Sequence, residues 1–384
     1  MGKGGKYLAK KPVASKKKKK KVLPAILIIL AVVVALCVVG GILYYNYLLS
    51  MITRPDDVVK PVENMGEVAE EVETLPIEIV NPEDATTSPE ETWPVIVSDQ
   101  NITNIVLIGQ AARQGEEALI ADTIILCSIN RETKTLTLTS MMRDMTLQWP
   151  AYVDYTGTTR TGNNRINMAY NMGYKWANEN VQGGMDVVSS IIEYNFGVPV
   201  DHCVEVNFDM VEQVMELIGG ISVELTQEEI TYLQENYPAS NTAKTLTPGK
   251  CKLSPYLTLC YARMRKVGHG DYERTERQRI VITKVIEKLA KKNILEINKI
   301  FQTIMPLITT DMTNKEITNY AFEFIPMLKD LKIQSQRIPF DGNERSVVKE
   351  YDGYVDYMIA PGDLKKTAQQ LQESIGMTVA DATN

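Results

Sequence analysis

The sequence predicts an α/β fold: a three-layer-like α/β sandwich with a mixed central sheet, preceded by one transmembrane helix. Three observations carry this. From Ile102 onward, apolar runs of strand length alternate with amphipathic stretches of helical period, the pattern of helices packed on a sheet. A hairpin signal interrupts that alternation at residues 130–133, as a mixed sheet requires. Near the N-terminus, Val22–Ser50 contains no charge and is long enough to cross a bilayer as a helix.

Residues 1–21 carry ten lysines and no acid. Clustered lysines mark the cytoplasmic side of a span, so this tail is expected inside the cell and everything after residue 50 outside. Tyr44, Tyr45 and Tyr47 close the apolar stretch, where amphipathic rings settle at headgroup depth. The stretch is longer than the core of a signal peptide and no A-x-A site ends it, which favours an uncleaved single-pass anchor in the cell membrane. Residues 51–100 read as an extracellular acidic, proline-rich linker. Between 54 and 100, thirteen acids face two bases and six prolines recur. Such a segment buries too little apolar surface to fold and extends by self-repulsion. Residues 101–378 form one large domain, long enough for a substantial core and a cavity, and 379–384 a short tail. The formal net charge of −7 hides an asymmetry: without the ten tail lysines, 31 basic residues face 48 acidic ones. The exported part as a whole is therefore no nucleic-acid binder, and any anion must be held by a local patch.

Within the domain, N-I-V-L-I-G (104–109) is a buried strand ending in glycine. A-D-T-I-I-L-C-S-I (121–129) and K-T-L-T-L-T-S-M (134–141) are two more, joined by the turn N-R-E-T. Residues 164–177 and 185–194 read as helices, the second stopped by Gly197-Val198-Pro199. H-C-V-E-V-N-F (202–208) alternates as a strand, and 209–217 is a helix with Met210, Val211, Val214 and Leu217 on its apolar face. Gly219-Gly220 ends it before the strand I-S-V-E-L (221–225). Thr226 and Glu229 make a capping box for the next helix, and Ser254-Pro255 start another. A long helix spans 272–292, a strand lies near 332–339, and a helix runs from 361 to 375. No internal repeat is visible. Of the five cysteines, Cys37 lies in the apolar span, while Cys127 and Cys203 read as small buried hydrophobes. The extracellular location permits a disulfide between Cys251 and Cys260.

Charges sit at three places on this apolar pattern. Asp122 opens a buried strand in L-I-A-D-T-I-I-L (119–126). Arg143 and Asp144 follow a strand end in S-M-M-R-D-M (140–145), the kind of place where α/β sites assemble. Arg165 and Asn167 stand at a helix start in N-N-R-I-N-M-A-Y (163–170), where free backbone N–H groups favour anions. Each is equally consistent with a structural cap or an internal Arg–Asp pair. The densest cluster is Y-A-R-M-R-K-V-G-H-G-D-Y-E-R-T-E-R-Q (261–278). Arg263, Arg265, Arg274 and Arg277 bracket Asp271 in a glycine-containing loop. On a helix starting near Tyr272, Arg274, Arg277 and Gln278 share a face. Arg263 and Arg265 share one only in extended chain. Guanidinium forks match phosphate oxygens and stay charged, and an Asp among arginines stays a carboxylate fit for a divalent metal. One reading is a pyrophosphate site. The other is a solvated charged helix, since Glu273 and Glu276 are interleaved.

Taken in order, D-T-I-I-L (122–126), S-M-M-R-D-M, R-I-N-M-A-Y, G-V-P-V-D-H-C-V-E-V-N-F (197–208), L-I-G-G-I-S-V-E-L (217–225), L-T-P-G (246–249), Y-A-R-M-R and G-D-Y-E-R-T-E-R-Q resemble the LytR-CpsA-Psr family. The likeness runs from residue 104 to 290, loosens toward 375, and includes the membrane-anchored layout. The resemblance implies a phosphotransferase of Gram-positive and related cell envelopes. Such enzymes move an anionic glycopolymer from a polyprenyl-pyrophosphate carrier to a peptidoglycan sugar hydroxyl. It implies Asp122 and Asp271 as carboxylates near Mg²⁺ (or Mn²⁺). Arg143, Arg263, Arg265, Arg274 and Gln278 would hold the pyrophosphate, with Arg165 and Arg277 as further members. Asp122, Arg143, Arg263, Arg265 and Asp271 would form the catalytic set, and an apolar cavity behind them would take the lipid tail. Two positions depart from the family pattern. Ile120 stands where Arg is frequent, which would remove a phosphate contact, and Met142 stands where Pro is frequent, a conformational change only.

Phosphoryl transfer needs positioning and charge neutralisation more than covalent chemistry. Arg263, Arg265 and Arg274 with one metal would shield the pyrophosphate and stabilise the leaving polyprenyl phosphate. Asp122 is assigned to the metal rather than to proton transfer. His202 reads as packing or a backbone hydrogen bond, and His269 as a secondary phosphate contact. The sequence shows no serine or cysteine nucleophile constellation and no Cys/His metal spacing. Two other readings stay open: a non-catalytic polyprenyl-phosphate-binding or signalling module, and a lipid pyrophosphate hydrolase.

Overall fold

The computed structural model describes residue 41 and residues 43–55, 99–110, 120–351 and 354–377. The basic tail 1–21, most of the apolar span 22–50, most of the linker 51–100 and the tail 379–384 lie outside the described residues. Among the described residues, no helix is long and apolar enough to cross a membrane. The chain divides into two units, Met1–Tyr47 and Leu48–Asn384. The second holds the sheet and the residues singled out above.

Its strands are β1 (Ile102–Gln110), β2 (Ala121–Asn130), β3 (Thr135–Met141), β4 (Thr146–Val153), β5 (Thr159–Arg165), β6 (His202–Val206), β7 (Ile221–Leu225), β8 (Gly249–Leu253), β9 (Thr309–Thr310), β10 (Lys332–Ile338), β11 (Glu344–Tyr351) and β12 (Tyr354–Pro361). Its helices are α1 (Ala169–Trp176), α2 (Val181–Phe196), α3 (Phe208–Ile218), α4 (Gln227–Asn236), α5 (Pro255–Arg263), α6 (Asp271–Leu289), α7 (Ile294–Ile304), α8 (Asn314–Met327) and α9 (Leu364–Ile375). Six strands form the central sheet in the order β10-β3-β2-β1-β6-β9. β3 and β2 pair antiparallel, as do β2 and β1, while β10 and β6 run parallel to their neighbours β3 and β1. The sheet is therefore mixed, as the alternation predicted.

Side-chain period two sets the layers. Val106, Ile108, Ile124 and Leu126 point to one face and pack against α2 and α9 through Val188, Ile192 and Leu371. Leu107, Ile125 and Cys127 point to the other and meet Ile282 and Ile286 of α6. A second core joins α3, α4, α5 and the antiparallel β7–β8 pair to α6 through residues such as Ile218, Leu233, Leu257 and Val281. α6 thus packs on both the sheet and the second core through its middle turns.

Several boundaries differ from the sequence pattern. The helix expected over 164–177 begins with a 3-10 turn at Ile166–Met168 and becomes α-helical at Ala169, because Thr159–Arg165 pair with Thr146–Val153 as a hairpin. The Trp149 indole donates to the Asn164 carbonyl and fixes that pairing. The helix expected from 185 starts at Val181, where the Asn180 side chain accepts from the Gln182 amide. The Thr226–Glu229 capping box and the Ser254 cap form as expected. Cys251 and Cys260 are both free thiols. Cys251 Sγ instead donates to the Thr247 carbonyl at 2.9 Å. Leu48, Leu49 and Ile52 are buried, and Thr53 bridges in parallel to Thr309 at the sheet edge.

α1 and α2 cross through glycines. A Cβ at Gly173 would lie 2.2 Å from the Gly183 carbonyl oxygen. Because that oxygen is backbone, it cannot yield without moving a helix. Gly173→Ala is expected to destabilise the fold by about 1–3 kcal/mol, read as a lowered denaturation midpoint.

His202 behaves as a structural residue. Its Nδ1 sits 3.4 Å from Asp311 Oδ1, and its ring meets Tyr320 edge-on. Burial lowers its pKa, yet Asp311 more than offsets this and leaves it above the usual 6.5. A raised folded pKa means the pair's stabilisation is complete below that usual value and lost as pH rises through the folded one. Melting temperature is therefore expected to fall across that window in the wild type and to lose this component in His202→Gln.

Candidate active site

The charged residues reach the site from several elements. Asp122 is the second residue of β2, just past the irregular register at Gly109/Gln110. Arg143 follows β3, in a turn where its carbonyl accepts from the Asn167 amide. Arg263 is the last residue of α5, Met264 is extended, and Arg265 lies in the loop to α6. That loop turns on Gly268 and Gly270, with φ of +72° and +76°, a region that disfavours side chains. Asp271 then opens α6, and Arg274 and Gln278 follow on one face, one and two turns on.

These groups converge on Asp122. Its Oδ1 lies 2.7 Å from Arg143 Nη1, 3.0 Å from Arg265 Nη2 and 3.9 Å from Arg274 Nη1. Asp271 Oδ1 lies 2.7 Å from Arg274 Nε and 3.9 Å from Arg265 Nε. Arg274 is only 3% exposed along its side chain, so both acids hold a guanidinium that burial alone would disfavour. Burial raises the pKa of Asp122, but Arg265, Arg143 and Arg274 outweigh it and leave the carboxyl below its ordinary range. Burial likewise lowers the pKa of Arg274, and the pull of Asp271 does not fully restore it. Three guanidinium groups around one carboxylate oxygen retain donors for a further anion, since each carries five. Arg274 Nη2 has no acceptor, and Asp271 Oδ2 and Gln278 Oε1 have no donor.

The cluster rims a cavity of about 260 Å³ between the sheet and α3, α5 and α6. Leu107, Val206, Phe208, Leu259, Val281 and Ile282 make its wall apolar, while Arg263, Arg265, Arg274 and Gln278 stand at its polar end. Arg263 lies over the Phe208 ring at 4.4 Å from its centroid, a cation–π contact that holds it at the cavity. Asp122, Arg263, Arg265, Arg274 and Gln278 thus line one opening, with Arg143 and Asp271 bonded to its members.

Three residues go elsewhere. Arg277 turns away: its Nη1 meets Glu229 Oε1 at 3.2 Å, and its Nη2 donates to the carbonyls of Met264 and Val267. The sequence placed it with Gln278, but one residue rotates a helix by about 100°, enough to face the second core. Arg165 ends β5 and stands at the start of a 3-10 turn, Ile166–Met168, that runs into α1, yet its side chain turns from the cavity. It pairs with Asp356 and donates to the Tyr357 carbonyl at 3.1 Å, while Asp144 at 3.8 Å links it to Arg143. His269 lies outside this cavity. Among the lining residues the sequence did not single out is Gln110, 3% exposed, with Oε1 unpartnered. The available signal was a polar side chain ending an apolar strand.

Among the described residues, no group of three or more His, Cys, Asp or Glu could cage a metal. Mg²⁺ is commonly held by one or two carboxylates together with substrate phosphates. Asp122 and Asp271, with the orphaned Oδ2 of the latter, fit that mode.

The family described as LytR_cpsA_psr matches residues 56–373. The polyisoprenyl-teichoic acid–peptidoglycan teichoic acid transferase TagU of Enterococcus faecalis is 27% identical over 206 residues. That alignment covers 53% of this chain and 59% of the relative, less than two thirds of its length. A solved Streptococcus agalactiae protein superposes with a TM-score of 0.56 at 23% identity, over 73% of this chain and 90% of that one. A structure of TagT bound to LIIa-WTA superposes with a TM-score of 0.54 at 21% identity, over 75% and 98%. These superpositions support the mixed α/β architecture.

Proposed function

The chain belongs to the LytR-CpsA-Psr family, and from that premise we propose that it transfers an anionic glycopolymer from polyprenyl pyrophosphate to a peptidoglycan sugar hydroxyl. One observation carries the reading. Arg143, Arg265 and Arg274 gather on Asp122 at the mouth of an apolar cavity. A pyrophosphate flanked by a hydrocarbon tail on one side and a glycan on the other matches that change from apolar wall to guanidinium rim.

In this reading the first isoprene units occupy the cavity. Its volume of about 260 Å³ is below the roughly 300–1,000 Å³ of typical ligand pockets, so a long tail continues outside it. Arg263, Arg265 and Arg274 hold the pyrophosphate oxygens, and Gln278 supplies a neutral contact. The acceptor oxygen attacks the phosphorus that bears the glycan. The bond from that phosphorus to the bridging oxygen breaks, and polyprenyl phosphate departs. The arginines stabilise the charge growing on the departing group. Asp122, held ionised by the same arginines, is a weak proton acceptor. The leaving phosphate monoester, with a second pKa of about 6, takes the acceptor's proton more readily. Asp122 and Asp271 would hold Mg²⁺, which when bound adds Lewis-acid shielding of the phosphates. The span 22–50 anchors the enzyme in the cell membrane, with its N-terminus cytoplasmic and its domain outside, where peptidoglycan lies.

The test uses the full chain in lipid nanodiscs, a labelled polyprenyl-pyrophosphate glycan and purified peptidoglycan. Label fixed to peptidoglycan through a phosphodiester is expected. Release of free phosphorylated glycan in its place would mark a hydrolase, and retention of the lipid without turnover a binding module.

A further inference from the structure

A second and larger cavity, of about 670 Å³, lies between α6 and β10. Residues of α6 divide between the two: Arg274 and Gln278 line the first, while Tyr272, Glu276 and Arg279 line the second. Asp271, bonded to Arg274, immediately precedes Tyr272. The two cavities therefore adjoin through the first turn of one helix.

The larger cavity has a different chemistry. Arg279 is 6% exposed and donates from Nε to Ser335 Oγ at 2.7 Å, but its Nη1 meets no acceptor. Burial brings its pKa down to about 10, so it remains charged at neutral pH. Glu273 Oε2, in the same wall, has no donor. Tyr272 carries Arg337 over its ring at 4.2 Å, and Arg337 is otherwise engaged with Asp341 and the Pro339 carbonyl. Phe340 adds a second ring. A buried guanidinium whose Nη1 is unpaired, carboxylates and aromatic rings in one cleft suit a ligand with many hydroxyl and amide groups, apolar ring faces and one carboxylate. The first cavity, apolar along its wall, suits no such ligand.

We propose that this cleft is the acceptor subsite, binding a peptidoglycan saccharide whose stem-peptide carboxylate pairs with Arg279. The proposal rests on the transferase reading above. An acceptor seated there delivers its hydroxyl past Tyr272 toward Asp271 and the arginine rim.

The test measures binding to the full chain in detergent, with a soluble N-acetylglucosamine–N-acetylmuramic acid disaccharide tetrapeptide as probe. Ser335→Trp fills the cleft and is expected to weaken this probe at least ten-fold. Binding of a short-chain polyprenyl pyrophosphate is expected to stay unchanged, which also shows that the variant is folded. Arg279→Gln, which removes the guanidinium that pairs with the stem-peptide carboxylate, is a second variant and is expected to weaken the probe several-fold. The disaccharide without its peptide is expected to bind the wild type about ten-fold more weakly, for loss of a charge-assisted contact. Equal probe binding by the wild type and both variants, or no binding to the wild type at millimolar concentration, overturns the subsite. Equal binding with and without the peptide overturns the Arg279 pairing. Failure of the wild type to bind the lipid pyrophosphate strikes the transferase reading instead, so the two failures are distinct.

Discussion

Replacing Arg274 by Gln is expected to lower the proposed transfer rate by about 10²–10³-fold, the usual cost of removing one preorganised donor to developing charge. The size of the effect follows from where Arg274 sits. Its side chain is 3% exposed and spans both carboxylates, at 2.7 Å from Asp271 and 3.9 Å from Asp122. A guanidinium fixed in that way needs little reorganisation as charge builds on a departing phosphate. Lysine would restore the charge but not the planar fork, so Arg274→Lys is expected to recover only part of the loss. Single-turnover rates on bound lipid donor give the measurement. An unchanged rate in Arg274→Gln would remove the central arginine from the mechanism.

Arg277 lies three residues further on and predicts the opposite pattern. Arg277→Ala is expected to cost about 3–5 kcal/mol of stability, because it leaves Glu229 with an uncompensated buried charge. It also leaves the carbonyls of Met264 and Val267 without this donor. Glu229 is itself part of the α4 capping box, so the damage extends into the second core. Turnover per folded molecule is expected to stay near the wild-type value. Denaturant titration reads the first quantity, and rates normalised to folded protein read the second. A large rate loss at preserved stability would return Arg277 to the pyrophosphate.

The contrast between these two arginines shows where sequence stops being informative. Asp122, Arg143 and the Arg263–Gln278 stretch stood out because each places charge on or beside an apolar pattern, but only the family resemblance joined them into one site. The central sheet was legible through β1, β2, β3 and β6, whose apolar runs are long and whose turns are marked. The rotation of Arg277 was not legible, because its partner Glu229 arrives from a helix 48 residues upstream. The β4–β5 hairpin was missed because T-R-T-G-N-N-R carries no apolar alternation. α7, α8 and the β11–β12 hairpin were missed as well. The cleft beside Arg279 depends on β10 pairing with β3 across nearly the whole domain, and no local signal encodes that.

The contact between Thr53 and Thr309 has a consequence for how the molecule would come apart. Thr53 is clasped to the rim of the sheet by backbone hydrogen bonds with Ile308 and Thr310, next to the buried Leu48, Leu49 and Ile52. A protease site engineered between residues 56 and 98 would sever the covalent thread and leave that clasp in place. The fragment that carries the sheet would then co-purify with its N-terminal piece until denaturant released it.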